Sequence, residues 1–243
     1  MRAGRSSAQL VAAICAVAGS ALLLVGTYLH PMSADPNDAL AAFTEYAADG
    51  LWVASHLTQL AGVVLMMGAL VAIGHLVEPQ IGAVAARMAG AAATGTAAIA
   101  AALQAVDGVA LNRMVRVWAA ADGATQAMRF EAAFAVRQIE IGLAAMLSLA
   151  AGVTAMLYGF LLRTVDAYPR WLSALGLIGG AALLGSGVAM AYTGFSDLEM
   201  AINMPASVGL LLWMASLGWR TWRADLSPIV VPSRSPSAAS TDG

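Results

Sequence analysis

The chain has 243 residues, of which 60% are hydrophobic and only 11% are charged, and its formal net charge at pH 7 is −2. Soluble domains carry about a quarter charged residues, so this composition excludes an ordinary water-soluble globule, and the single cysteine excludes an internal disulfide. The sequence contains no phosphate loop, zinc-finger spacing or basic patch, so we expect no nucleic-acid partner.

Six runs of the sequence carry no acidic or basic charge and reach the roughly 20 residues that a helix needs to cross about 30 Å of hydrocarbon. In lipid the backbone must satisfy its own hydrogen bonds, and the alternation of a lipid-facing barrel is absent. We therefore predict an all-α fold: a six-transmembrane-helix bundle over residues 1–225, with amphipathic extracytoplasmic helices and a disordered cytoplasmic tail over 226–243. The predicted spans cover residues 10–29, 51–76, 88–106, 141–162, 171–196 and 200–219.

The basic residues predict the orientation of these spans. Six crossings place both termini and two loops on one side, and the positive-inside rule makes the side with more arginines cytoplasmic. We therefore predict a multi-pass membrane protein with both termini in the cytoplasm, its first span being an uncleaved anchor. The arginines on that side are Arg2, Arg5, Arg87, Arg163, Arg170, Arg220, Arg223 and Arg234.

A short amphipathic helix is predicted between the first two spans. Asp35 supplies an N-cap, Pro36 suits the first helical position, and the helix should end at Asp49. We expect it to lie on the outer surface. Its predicted apolar face consists of Leu40, Phe43 and Ala47.

The second and third spans carry polar residues at one end. Trp52, His56 and Gln59 fall on one face of the second span, and Gln104 and Asp107 continue one face at the end of the third. At 1.5 Å per residue His75 lies about 28 Å along the helix from His56, so the two histidines cannot share a metal ion.

Small residues predict close helix packing in two spans. Gly90, Thr94 and Ala98 recur at four-residue spacing, which predicts a central position for the third span. The fifth span has a second such surface. Its glycines are Gly176, Gly179, Gly180, Gly185 and Gly187.

The segment 104–140 holds more charged residues than any other segment between the predicted spans. Its first half is amphipathic, with Leu111, Met114, Val115 and Trp118 on one side and Asn112, Arg113 and Arg116 on the other. This segment can either lie flat in the interface or stand upright as a continuation of the third span. Arg137 and Glu140, three residues apart, are predicted to pair near the interface.

The outer ends of the helices therefore gather a polar ring. Ionisable groups near membrane depth are costly and favour a functional role, although interfacial salt bridges and helix caps explain such residues equally well. The ring consists of His30, His56, Gln59, Gln104, Asp107, Arg137, Glu140 and Asp197, and all but Asp197 are candidate ligand-binding residues.

Two kinds of chemistry fit parts of this ring. As a weak metal-site candidate, His30 and His56 would supply nitrogen ligands while Asp107 or Glu140 supplied oxygen. Alternatively, His56 and Asp107 could perform acid–base catalysis, although no serine or cysteine elbow accompanies them. Haem held by the two histidines is a weaker interpretation, and overall we expect no cofactor.

Three short segments carry a family resemblance: Leu29-His30-Pro31, the WVASH run at 52–56 and the DGVAL run at 107–111. They resemble a group of uncharacterised bacterial multi-pass membrane proteins that carry a domain of unknown function. The resemblance implies a helical bundle in a bacterial inner membrane and brings no known reaction.

The leading functional hypothesis is a non-enzymatic membrane protein. It would bind a small ligand, a membrane lipid, a protein partner or a second copy of itself at the polar face, through the helix from Val109 to Ala121. The alternative is a membrane-embedded enzyme that uses His56 and Asp107. Side chains of these two residues within hydrogen-bond reach would favour the alternative.

Overall fold

Long apolar runs make the backbone satisfy its own hydrogen bonds, and the computed structural model accordingly consists of helices. It describes residues 6–224, within which there is no strand. The predicted tail over 226–243 and the predicted cytoplasmic Arg2, Arg5 and Arg234 lie outside the described residues. The helices are α1 (Ser7–Leu29), α2 (Ala39–Ala48), α3 (Trp52–Ile81), α4 (Ala83–Gln104), α5 (Asn112–Ala119), α6 (Gly123–Leu161), α7 (Arg170–Thr193) and α8 (Asp197–Arg223).

Within the described residues six helical segments are long and apolar enough to cross a membrane, which confirms the predicted all-α fold with six such helices. They pack as a closed ring in the order α1, α3, α4, α6, α7 and α8, with α8 returning to α1. Met66, Leu70 and Trp213 lie in the buried interior, and the Tyr158 hydroxyl donates to the Leu70 carbonyl at 2.7 Å. The chain is thus a multi-pass helical bundle.

Glycines set the closest helix contacts in the ring. A Cβ built on Gly62 of α3 would lie 2.5 Å from the Leu23 nitrogen of α1, and one built on Gly180 of α7 would lie 2.7 Å from the Gly152 carbonyl oxygen of α6. Any side chain at these positions would push two backbones apart, so both contacts require glycine.

The two predicted small-residue surfaces have different outcomes. In the fifth span Gly176, Gly180 and Gly187 do meet neighbouring helices, whereas a Cβ built on Gly179 or Gly185 would meet nothing within 4 Å. The prediction for the third span is wrong. A Cβ at Gly90 also meets nothing, Thr94 and Ala98 are exposed, and α4 is one member of the ring rather than its centre.

The short helix α2 begins later than predicted. Asp38, not Asp35, is its N-cap, because its carboxylate accepts from the Leu40 and Ala41 nitrogens. Asp35 instead accepts from the Asn37 nitrogen in the turn before the helix. Phe43 is buried as predicted, but Leu40 is exposed and α2 packs against α5.

The segment after α4 stands upright. Residues Ala83–Ala119 form one continuous 37-residue helical segment, about 55 Å long and therefore much longer than a hydrocarbon layer is thick. Its end, α5, packs against the first part of α6 as a helical hairpin. Asn112, predicted to share the exposed side with Arg113 and Arg116, is buried.

Candidate metal centre

Three side chains from three segments meet at the end of the bundle that carries α2 and α5. His30 caps the end of α1, His56 lies in the second turn of α3, and Asp107 lies beyond the end of α4. One ligand atom from each lies within 4.8 Å of the others. His56 Nε2 is 3.0 Å from Asp107 Oδ2.

A π-helical segment, Ala105–Leu111, positions Asp107. The wider turn shifts the direction of side chains relative to a regular helix, and such segments occur frequently at functional sites. Gly108 permits the approach, because a Cβ built there would lie only 2.6 Å from His56 Cβ. The Trp52 indole nitrogen also donates to the Asp107 carbonyl oxygen at 3.1 Å, which ties α3 to this segment.

Backbone carbonyls define which nitrogen of each histidine carries a proton. His56 Nδ1 lies 2.7 Å from the Trp52 carbonyl oxygen, and His30 Nδ1 lies 2.7 Å from the Pro31 carbonyl oxygen. A carbonyl oxygen can only accept, so both Nδ1 atoms are donors. A histidine ring that is neutral in this orientation presents the lone pair of Nε2, which is the arrangement that metal-binding histidines adopt.

The aromatic ring of Trp52 packs against both histidines. The Trp52 ring stacks on His56 at a centroid distance of 4.5 Å and lies 4.9 Å from His30. Burial, and then the neighbouring His56, lower the pKa of His30, so its imidazole is neutral at pH 7 and available as a ligand. Because the His30 and His56 ring centroids are only 4.9 Å apart, no porphyrin plane fits between them.

Two acceptor oxygens at this site are buried without a hydrogen-bond partner among the described residues: Asp107 Oδ1 and Gln104 Oε1. They lie three residues apart, and the Gln104 amide donates to Gln59 Oε1 at 3.2 Å. An orphaned buried acceptor costs about 1–3 kcal/mol, so a cation or a donor at this position would remove the penalty.

A second polar group packs beside the histidines. Arg137 Nη1 lies 3.2 Å from both Glu140 Oε2 and the Tyr46 hydroxyl, and Nη2 donates to the Pro36 carbonyl at 2.9 Å. The predicted pair therefore forms, and it is buried within the bundle, with Arg137 2% and Glu140 4% exposed. Burial raises the pKa of Tyr46, so its hydroxyl stays neutral and accepts from Arg137.

The structure places seven residues of the predicted polar ring in three groups and leaves Asp197 outside them. His30, His56 and Asp107 form one cluster, Gln59 and Gln104 form a pair beside it, and Arg137 with Glu140 forms another. Glu140 is not in the metal-ligand cluster. Asp197 is exposed in the first turn of α8, away from these contacts.

Sequence reasoning missed two contributors. Tyr46 was not on the predicted apolar face of α2, although it follows Phe43 by three residues and therefore shares its side of the helix. The π-helical segment had one available signal, the Asp107-Gly108 pair, because glycine is the residue that tolerates a close approach.

The comparisons with known proteins place the chain in a family. The model of a domain of unknown function, DUF4386, matches residues 8–218. The chain belongs to the DUF4386 family. No curated protein and no solved structure matches it.

The DUF4386 match spans every helix that builds the site and contains His30, His56, Asp107, Arg137 and Glu140. It confirms the predicted membership of an uncharacterised domain family. Its description names no reaction, so the function has to be argued from the site itself.

Proposed function

We propose that this DUF4386 protein binds one divalent transition-metal ion through His30, His56 and Asp107. The supporting observation is the 3.0 Å distance between His56 Nε2 and Asp107 Oδ2. Because Nδ1 donates to the Trp52 carbonyl, Nε2 of a neutral His56 directs its lone pair at an acceptor-only carboxylate. Such a contact is repulsive unless a proton or a metal ion lies between the two atoms.

Three further features favour the metal ion over the proton. His30 offers a third ligand atom within 4.8 Å of the other two, Asp107 Oδ1 is a buried acceptor without a partner among the described residues, and the Nδ1 atoms of both histidines are engaged by backbone carbonyls. A proton shared by His56 and Asp107 explains none of these. Two imidazoles and one carboxylate suit Zn²⁺, and also Fe²⁺ or Mn²⁺.

Two nitrogens and one carboxylate leave at least one coordination position open, which separates catalytic from structural zinc sites. His30 and Asp107 are each partly exposed, so a small molecule has access to that position. A bound ion supplies Lewis acidity. The site thus supports the enzyme alternative, with His56 and Asp107 as metal ligands rather than as an acid–base pair.

The hypothesis that a ligand or partner binds through residues Val109 to Ala121 has less support. Leu111, Val115 and Trp118 are buried in a cluster with Phe43 of α2 and Ala133 of α6. The apolar face of this segment is therefore already covered. The small ligand of the polar end is, in this proposal, the metal ion.

Elemental analysis of protein purified in mild detergent, loaded with Zn²⁺ and desalted, tests the proposal. We expect about one ion per chain in the wild type and less in His56→Ala. The control is His75→Ala, which removes an exposed histidine from the other end of the same helix and should leave the metal content unchanged. Equal metal content in all three proteins would exclude the site.

The arginine distribution supports cytoplasmic termini, and the family resemblance supports a bacterial inner membrane, so that the metal site would lie on the outer side. A membrane-impermeant maleimide should then label a cysteine introduced at the exposed Arg116 in intact cells. The matched position for the opposite side is Arg87, which is exposed in α4 and should be labelled only after lysis. Labelling of Arg87→Cys alone in intact cells would reverse the orientation.

A further inference from the structure

A groove of about 450 Å³ lies beside the metal centre, between α6, the end of α7 and the turn that precedes α2. Its size is that of a small-molecule site. The Asn37 amide in the lining donates to the Phe195 carbonyl at 2.7 Å and so ties the turn before α2 to the residues that follow α7. The lining includes Asn37, Arg137, Gln138, Ile141, Gly142 and Met190.

Among the described residues that line this groove Arg137 is the one that carries a charge, and it is 2% exposed. Nη1 is shared between Tyr46 and Glu140, and Nη2 uses one N–H for the Pro36 carbonyl. The second Nη2 N–H and the Nε N–H have no acceptor among the described residues. A buried guanidinium with donors to spare is suited to an oxygen of a phosphate or a carboxylate.

The groove lies where the polar and apolar parts of α6 meet. Residues 129–140 of this helix contain four charged side chains, whereas 141–162 contain none. Arg137 and Gln138 therefore line its polar part, and Ile141 and Gly142 its apolar part. Tyr192, 87% exposed on the rim, is a residue type enriched at the depth of lipid headgroups.

We propose that this groove binds the headgroup of a membrane glycerophospholipid, with a phosphate oxygen accepting hydrogen bonds from Arg137. The polar wall then faces the phosphate, and the apolar wall faces the start of the acyl chains. No carboxylate is among the described residues that line the groove, and Glu140, which is outside the lining, is paired with Arg137 Nη1. The proposal uses none of the three metal ligands and is independent of the metal site.

Gly142 allows the groove to be filled without touching Arg137. It lies in the lining, and a Cβ built on it would meet nothing within 4 Å, so a leucine should extend into the open space. The matched control is Gly185→Leu in α7, where an added Cβ also meets nothing and which is not in the lining. Both changes put leucine at an exposed helical glycine.

Native mass spectrometry in mild detergent with phosphatidylglycerol added in steps measures the affinity. The wild type and Gly185→Leu should bind one lipid with equal affinity. Gly142→Leu should bind it about tenfold more weakly, because the leucine occupies the groove and the lipid phosphate then loses its hydrogen bonds to the charged Arg137. Zinc content should be the same in all three, so that failure of this proposal and failure of the metal proposal remain distinguishable.

Two added ligands identify the chemistry that is recognised. Diacylglycerol, which has no phosphate, should bind at least tenfold more weakly than phosphatidylglycerol, and inorganic phosphate should not displace the lipid. Equal binding of diacylglycerol would overturn phosphate recognition, and displacement by inorganic phosphate would make free phosphate the ligand. Equal lipid affinity of Gly142→Leu and Gly185→Leu would remove the groove as the site.

Discussion

Replacing Asp107 with alanine should weaken Zn²⁺ binding by more than about 100-fold. Loss of a residue that only supports a metal ligand typically costs 10–100-fold in affinity, and Asp107 is a direct ligand in the proposed site. It also supplies the negative charge of the ligand set, because His30 and His56 are neutral when they coordinate. Titration of detergent-solubilised protein against a zinc-sensitive dye measures the change.

The control for this variant is Asp122→Ala, which removes an exposed carboxylate from the turn before α6 and should leave zinc affinity unchanged. Asp107→Asn provides a further comparison, since the amide keeps the shape of the side chain while losing the charge. It should bind zinc more weakly than the wild type. Unchanged affinity in Asp107→Ala would show that the carboxylate is not a ligand and that a proton joins it to His56.

The spans and part of the site were predictable because both depend on local periodicity. Residues without charge over about 20 positions have one stable arrangement in hydrocarbon, and the six helices follow from that rule. The same periodicity places His56 and Gln59 on one face of α3, and Gln104 and Asp107 on one face at the end of α4. These two faces meet in the structure, through a hydrogen bond for each pair of facing residues.

What the sequence did not reveal depends on contacts between distant segments. Gly62 meets a neighbouring helix and Gly90 does not, although small and apolar residues flank both in the sequence. The difference depends on how the helices pack around the bundle. Asn112 is buried because α5 stands against α6 instead of lying flat. Whether α5 packs against α6 or lies flat in the interface depends on the turn at 120–122, and the helical periodicity of the sequence does not describe that turn.

The distance between His56 and Asp107 also required the structure. The π-helical turn through residues 105–111, which contains Asp107, has no reliable sequence signature beyond a glycine at the point of contact. Tyr46 joins the site for a similar reason. Its position depends on α2 folding back over Trp52, with the two ring centroids 4.2 Å apart.

Replacing Arg137 with methionine should destabilise the protein by about 3–5 kcal/mol. The loss leaves Glu140, which is 4% exposed, as a buried carboxylate without its partner. It also removes the donor to the Tyr46 hydroxyl and to the Pro36 carbonyl, which hold α2 and the preceding turn against α6. Reversible unfolding in mixed detergent micelles, followed by tryptophan fluorescence, measures the difference.

The double variant Arg137→Met/Glu140→Met separates the charge from the packing. With both charges removed, no uncompensated ion remains in the interior, so the double variant should be more stable than either Arg137→Met or Glu140→Met alone. Zinc content should stay at the wild-type level in folded Glu140→Met, because Glu140 is not in the ligand cluster. Destabilisation that simply adds across the two single variants would mean that the two side chains act independently, and loss of zinc in Glu140→Met would make Glu140 a ligand. If the stability effects of the two substitutions are not additive and zinc content is unchanged, the pair contributes to stability and does not bind the metal.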